Sequence, residues 1–179
     1  MALTRLGLNQ SINLASNVTG TLPTANGGTG ATSFSPGKIL QVVSSTLSSE
    51  TTTNSTSMSD TGLTVTITPS ATDSKVLVIV NHTGLLKEAS DNAGEIELGA
   101  TIGSGSYATV RKIDSNISRN GSTALNVVGG TGTSCLHSPS TTSAVVYKTR
   151  FRCDITAANN FRVQQNNCVA SITAMEIGA

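Results

Sequence analysis

Cys135, His137, Cys153 and Cys168 carry the soft metal-binding chemistry of the chain, and four such ligands are what a zinc ion takes. Their spacing argues against a site. Zinc ligands come in close pairs, whereas Cys153 and Cys168 stand singly at the ends of extended segments. Nucleophilic hydrolysis would need a serine or cysteine beside His82 or His137, and no Gly-x-Ser-x-Gly turn presents one. Glu95 and Glu97 share one side of an extended segment, as a glycosidase pair could, but two acids on a polar strand face are ordinarily solvated. Lys148, Arg150 and Arg152 likewise form a basic stripe whose default partner is water. The run Ile102–Lys112 imitates the glycine-rich loop of a protein kinase, yet the chain has no strand lysine, catalytic loop or metal-binding Asp-Phe-Gly for that loop to serve. Gly30–Lys38 has a phosphate loop's residues at the wrong spacing, with Ile39 where a magnesium-coordinating Ser or Thr belongs. The expectation is therefore no catalytic residues, no metal site and no cofactor.

Composition narrows the partners. The 179 residues hold 11 basic and 10 acidic side chains, a net charge of +1, which offers no footprint for a nucleic-acid backbone. No run of apolar residues is long enough to span a membrane. Aromatic residues make up 3% of the chain, too few for a stacking platform, so aliphatic side chains must build the core. The 24 Ser and 27 Thr suit β-strands and turns. Three cysteines make an odd number and are expected as free, mostly buried thiols. The first ten residues lack an apolar stretch and a small-residue cleavage site, so no signal peptide is read and synthesis in a cytoplasm is expected.

Two regions differ in pattern. Residues 1–36 read as an extended N-terminal arm: Ser16–Pro36 carries Gly20, Gly27, Gly28, Gly30, Pro23 and Pro36 among Thr, Ser and Asn, with almost no periodicity, and cannot bury a core of its own. From residue 37 to 179 the period is two. Leu63, Val65 and Ile67 alternate with threonines, Ile96, Leu98, Ala100 and Ile102 with Glu95, Glu97 and Thr101, and Val145, Tyr147, Thr149 and Phe151 with the basic stripe. Ile39–Val43 and Val76–Val80 are almost wholly apolar and are expected to be covered on both faces. Tyr107–Ile113, Ala124–Val128, Asn160–Gln164 and Cys168–Ile177 complete about nine strands, punctuated by Asn120-Gly121, Gly129-Gly130 and Asn166-Asn167. The fold class is all-β: an antiparallel β-sandwich of jelly-roll type preceded by the arm. An aliphatic sandwich rich in strand edges is best protected when closed around a threefold axis, so a homotrimer is expected, with Ala170, Ile172 and Ala174 of the last strand lining the axis.

Leu22-Pro23-Thr24-Ala25-Asn26-Gly27-Gly28-Thr29-Gly30 resembles the Leu-Pro-x-x-Asn-Gly-Gly-Thr-Gly linker that recurs in tail-fibre and related virion proteins of bacteriophages. Ser35–Val43 entering a Thr/Ser-rich strand domain, and the ending Ser171–Ile177, are similar to small phage fibre proteins whose C-terminal β-sandwich forms a trimer. The resemblance implies a non-enzymatic virion protein made in the host cytoplasm. Its N-terminal segment would attach to other virion proteins of the tail, baseplate or capsid, and its trimeric domain would project towards a host cell-surface receptor. On that reading Leu3, Leu6, Leu8, Ile12, Leu14 and Leu22 supply the attachment contacts. Segments 114–121 and 129–142, with Arg119 and His137, are the expected host-contact loops. No sustained heptads or short β-helix repeat provide a shaft, and a capsid cement or head-fibre trimer is the alternative reading.

Overall fold

Alternation of Val, Ile, Leu and Thr with polar residues builds strands that bury one face, a pattern that the computed structural model shows most clearly in Ser59–Ile67, Val145–Cys153 and Ala170–Ile177 of the ten strands among the described residues. It describes residues 38–88, 90, 92–119, 126–154 and 160–178, with the backbone alone at 126–128. In chain order they are β1 (Ile39–Leu47), β2 (Thr51–Thr53), β3 (Ser59–Ile67), β4 (Lys75–Lys87) and β5 (Gly94–Ile102). After them come β6 (Ala108–Ile117), β7 (Asn126–His137), β8 (Val145–Cys153), β9 (Phe161–Val163) and β10 (Ala170–Ile177). Every pairing is antiparallel. In one sheet β1 pairs β10, β10 pairs β4 and β4 pairs β7, while β2 and β9 continue the positions of β1 and β10 alongside the far end of β4. The other sheet runs β3-β8-β5-β6. Counting β1/β2 and β9/β10 as single broken strands, the two orders are 1-8-3-6 and 2-7-4-5, the double Greek key of a jelly roll. No α-helix occurs among the described residues, and no helix there is long and apolar enough to cross a membrane.

The core divides in two. Leu63, Val65, Val76, Val78, Leu98, Tyr147, Ala170, Ile172 and Ala174 belong to the larger cluster; Leu85, Ile96, Phe151, Cys153, Phe161 and Val163 belong to the smaller one. On β3, β4 and β8 the residue between the two sets is polar: Thr61, His82 and Thr149, all fully buried. Gln164, equally buried just after β9, completes the belt. Gln164 Nε2 donates to His82 Nδ1 at 2.7 Å, His82 Nε2 lies 2.9 Å from Thr149 Oγ1, and Thr149 Oγ1 lies 2.6 Å from Thr61 Oγ1. Since Nδ1 accepts, the proton of the neutral ring sits on Nε2 and points at Thr149. Burial holds the His82 imidazole down to about 4, so at neutral pH it joins the two sheets without charge.

A second buried polar group closes the other end. Burial alone would raise the Glu176 carboxyl, but it accepts from the Ser70 amide at 2.7 Å, Ser70 Oγ at 2.6 Å and Gln41 Nε2 at 2.6 Å, and together with Ser74 these hold it down to about 2. The carboxylate thereby ties β1, β10 and the β3–β4 connection together.

Three expectations change. Ile39–Val43 is not covered on both faces: β1 is an edge strand, and nothing in the described chain lies over its outer side. Val76–Val80 is buried only through Val76, Val78 and Val80, while Ile79 faces outward. Gly129-Gly130 is no turn, because both residues lie within β7. A methyl on Gly130 would sit 2.6 Å from the His82 carbonyl oxygen and one on Gly132 2.7 Å from that of Val80, so these glycines let β7 approach β4 closely.

Candidate functional site: an uncharged outer sheet face

The two outer faces of the sandwich differ in chemistry. Across the β1–β10–β4–β7 sheet the register places Val42, Met175, Leu77 and Leu136 in one row of outward side chains. The next row is Ser44, Thr173, Ile79 and Ser134, and the one after it is Thr46, Ser171, Asn81 and Gly132. None of these twelve residues is charged. Ile39 and Leu40 adjoin the first row at a bulge in β1, beside Ile177, and Lys75 borders the face at that end. Exposure is high for aliphatic residues: 59% at Ile39, 44% at Leu40, 54% at Val42, 40% at Ile79 and 55% at Leu136. Solitary exposed apolar residues are ordinary, whereas a contiguous group of this kind marks an interaction surface.

Beyond these rows the far end of the same sheet carries an ion-pair cluster, Arg162 with Glu50 and Glu88, and a second set of charges gathers on the other sheet. Glu95, only 3% exposed, receives Lys112 Nζ and Arg152 Nη2, each at 2.8 Å. Asp60 takes Lys148 Nζ at 2.7 Å and Arg150 Nε at 3.2 Å. Tyr107 and Thr109 donate to the two oxygens of Glu97 at 3.1 Å. The Tyr107 ring packs on Gly99, where a methyl would come within 2.1 Å, with Arg150 4.9 Å and Lys148 5.5 Å from its centroid. Burial would lift the Glu95 carboxyl, but the hydrogen bonds and charges of Lys112 and Arg152 outweigh it and leave it below the usual carboxylate range. Burial first, and the Glu97 charge second, push the Tyr107 phenol up, so it stays a donor. Glu95 and Glu97 are thus buried and partnered rather than solvated, and the basic stripe is spent on neighbouring carboxylates. These pairs link β3 with β8, and β5 with β6 and β8.

A cavity of about 320 Å³ opens where β5, the β5–β6 turn and β6 meet the end of β7. Ala100, Ile102, Ala108, Val110, Thr109 and His137 are among its walls. His137 Nδ1 lies 2.8 Å from the Tyr147 hydroxyl, the rings meeting edge to face, and burial lowers the imidazole below its ordinary range. The kinase-like run is the β5–β6 turn, with Gly103 at φ 53.

The residues singled out from sequence are dispersed. Ala170, Ile172 and Ala174 are wholly buried between the sheets, in the larger cluster, so their side chains are not available to line an axis between subunits. The period-two pattern identified the apolar side of β10 correctly, but that side faces this chain's own core; Ser171, Thr173, Met175 and Ile177 face out. Asp114–Ile117 and Gly129–His137 are strand, not loop. Arg119 lies exposed just beyond β6, its Nη1 3.3 Å from Asn116 Oδ1, whereas His137 ends β7 at the opposite end of that strand. They form no common surface. Cys153 is buried, Cys135 half-buried and Cys168 exposed, and no group of residues suited to a metal ion occurs among the described residues. Leu3, Leu6, Leu8, Ile12, Leu14 and Leu22 lie outside the described residues. The outer face escaped the sequence reading although a signal existed: Ile39, Leu40, Val42, Leu77, Ile79, Leu136 and Met175 are apolar residues left over once the inward set of each strand is assigned.

No family model matches the chain, and no curated protein does. Among solved structures it is similar to the infectious bursal disease virus VP2 subviral particle, at 13% identity and a TM-score of 0.36 over 78% of this chain and 38% of that one. It is also similar to a mutant VP2 protein of the same virus in derived T=1 particles, at 11% identity and a TM-score of 0.32 over 97% of this chain and 40% of that one. The chain spans about two fifths of the length of these two structures.

Proposed function

We propose that the chain is a structural component of a bacteriophage particle: a short trimeric fibre joined to the tail through residues 1–36 and projecting its jelly roll towards the host surface. The observation that carries this reading is the conjunction of the Leu22–Gly30 linker with a jelly roll that has an uncharged patch with exposed aliphatic residues on one outer face. An assembly protein needs a stable domain with one surface for its neighbours and a self-satisfied surface for solvent, and the two sheets divide in that way. On this reading Arg119, exposed just beyond β6, and His137, half-buried at the end of β7 and hydrogen-bonded to Tyr147, would contact the host from opposite ends of β7. The absence of heptads or β-helix repeats from the sequence also suits a capsid cement or head-fibre trimer, which shares the fold and differs in where it sits.

Deleting residues 1–36 tests the attachment. The shortened chain is expected to stay soluble and to melt within a few degrees of the full chain, because the core clusters among the described residues are built from Val43 onward. It should be missing from assembled particles. Incorporation at the full chain's level would move the attachment into the jelly roll and reverse the orientation of the fibre.

A further inference from the structure

We propose that the outer face of the β1–β10–β4–β7 sheet is the surface on which a second copy of this chain docks, an inference that rests on the assembly reading and assigns it a surface. Ile39, Leu40, Val42, Ile79 and Leu136 together expose roughly 500 Å² of mostly aliphatic surface, at the upper end of what single chains leave uncovered. The Ser and Thr rows beside it extend the face towards the roughly 800 Å² that each partner contributes to a stable interface.

Charge points the same way. Interface centres are depleted in charged residues, and the twelve outward residues of the three rows have none. An anionic or cationic partner would find nothing here to pair with, whereas the same face on neighbouring copies, gathered around a threefold axis, packs against this one without stranding a charge. On the other sheet Asp60 is engaged with Lys148 and Arg150, and Glu95 with Lys112 and Arg152. That sheet keeps the solvent side.

The strand edge also needs a cover. Among the described strands β1 is paired by β10 alone, and its nine residues from Ile39 to Leu47 present an edge that carries no charge. Proteins blunt such an edge with charge, proline or a covering element, and on the assembly reading a second copy supplies that cover. The assignment moves the inter-subunit surface from Ala170, Ile172 and Ala174 to the opposite side of the same strand, Thr173, Met175 and Ile177, together with Val42 of β1, Leu77 and Ile79 of β4 and Leu136 of β7.

Light scattering on the full chain at micromolar concentration tests this, with Val42→Lys and Leu136→Lys made separately. The wild type is expected at three times the mass of one chain. Each lysine variant should weaken association by about 100-fold or more, bringing the mass to that of one chain. Circular dichroism should be unchanged, since both side chains already face solvent within a single chain. Thr66→Lys, on the outer face of the other sheet, should leave the mass unaltered. If the wild type assembles and both variants keep its mass, this surface is wrong while the assembly reading stands. If the wild type is monomeric, both fail. A monomer in which the β1 and β10 amides resist hydrogen exchange would assign the face to residues 1–37 of the same chain and overturn the proposal.

Discussion

Acidification from pH 7 to pH 4 is expected to cost the jelly roll about 3 kcal/mol through His82 alone. Burial lowers this imidazole from its ordinary 6.5 to about 4, and the groups that meet it are neutral: the Gln164 amide and the Thr149 hydroxyl, backed by Thr61. The unfolded chain therefore binds the proton more readily than the folded one. The contribution is complete above pH 6.5 and is lost progressively as pH falls towards 4. Protonation would also force Nδ1 to donate, breaking the bond from Gln164 Nε2. Denaturant titrations at fixed protein concentration should give a wild-type midpoint that falls steeply over this interval, and a His82→Gln variant that is weaker at pH 7 but much flatter. The comparison removes His137, whose imidazole burial also lowers. Glu176 acts in a separate window, because its stabilisation is lost only as pH falls below the ordinary carboxylate range towards about 2. An equal acid slope in the wild type and His82→Gln would contradict the assignment.

Phe161→Ala is expected to destabilise the domain by about 3–5 kcal/mol. The ring is fully buried in the smaller cluster, 6.3 Å from that of Phe151, and a methyl placed on Gly94 of β5 would come within 2.1 Å of it. Gly94 is therefore glycine because Phe161 occupies the space a side chain would need. Gly94→Ala alone should cost about 1–3 kcal/mol by overpacking. In the Phe161→Ala background the same change should cost much less, since the new methyl enters the cavity left by the ring. Additive costs in urea unfolding at one fixed protein concentration would show that the two positions do not compete for one volume.

Much of this arrangement was legible in the period-two pattern. Alternation along Leu63–Ile67 and Val145–Phe151 identified which residues face inward, and the antiparallel sandwich followed from it. What alternation does not report is whether the chain supplies a cover for the outward set. Ile39–Val43 looked like a strand buried on both sides because its residues are apolar on both sides, yet it sits at a sheet edge. The same limit produced the error at Ala170, Ile172 and Ala174: small apolar residues in alternation mark a buried face, and the face proved to be this chain's own core. Gly129 and Gly130 carry a turn's composition, but long-range pairing with β4 uses their lack of side chains within a strand. Glu95 could not be recognised as buried from its neighbours in sequence, because the cations that compensate it, Lys112 and Arg152, come from two other strands. The His82 belt joins four separate segments and has no local signature at all.

Attachment, trimer and host contact all depend on this chain being built into a virus particle. Immunogold labelling, with antibodies raised against the folded jelly roll, of purified particles released by cells carrying the gene in its native genome decides that point. Gold is expected at one fixed position on the particles, with the protein co-sedimenting in constant proportion to the other particle proteins. Unlabelled particles, with all of the protein left in the unassembled fraction, would contradict a structural role in the virion.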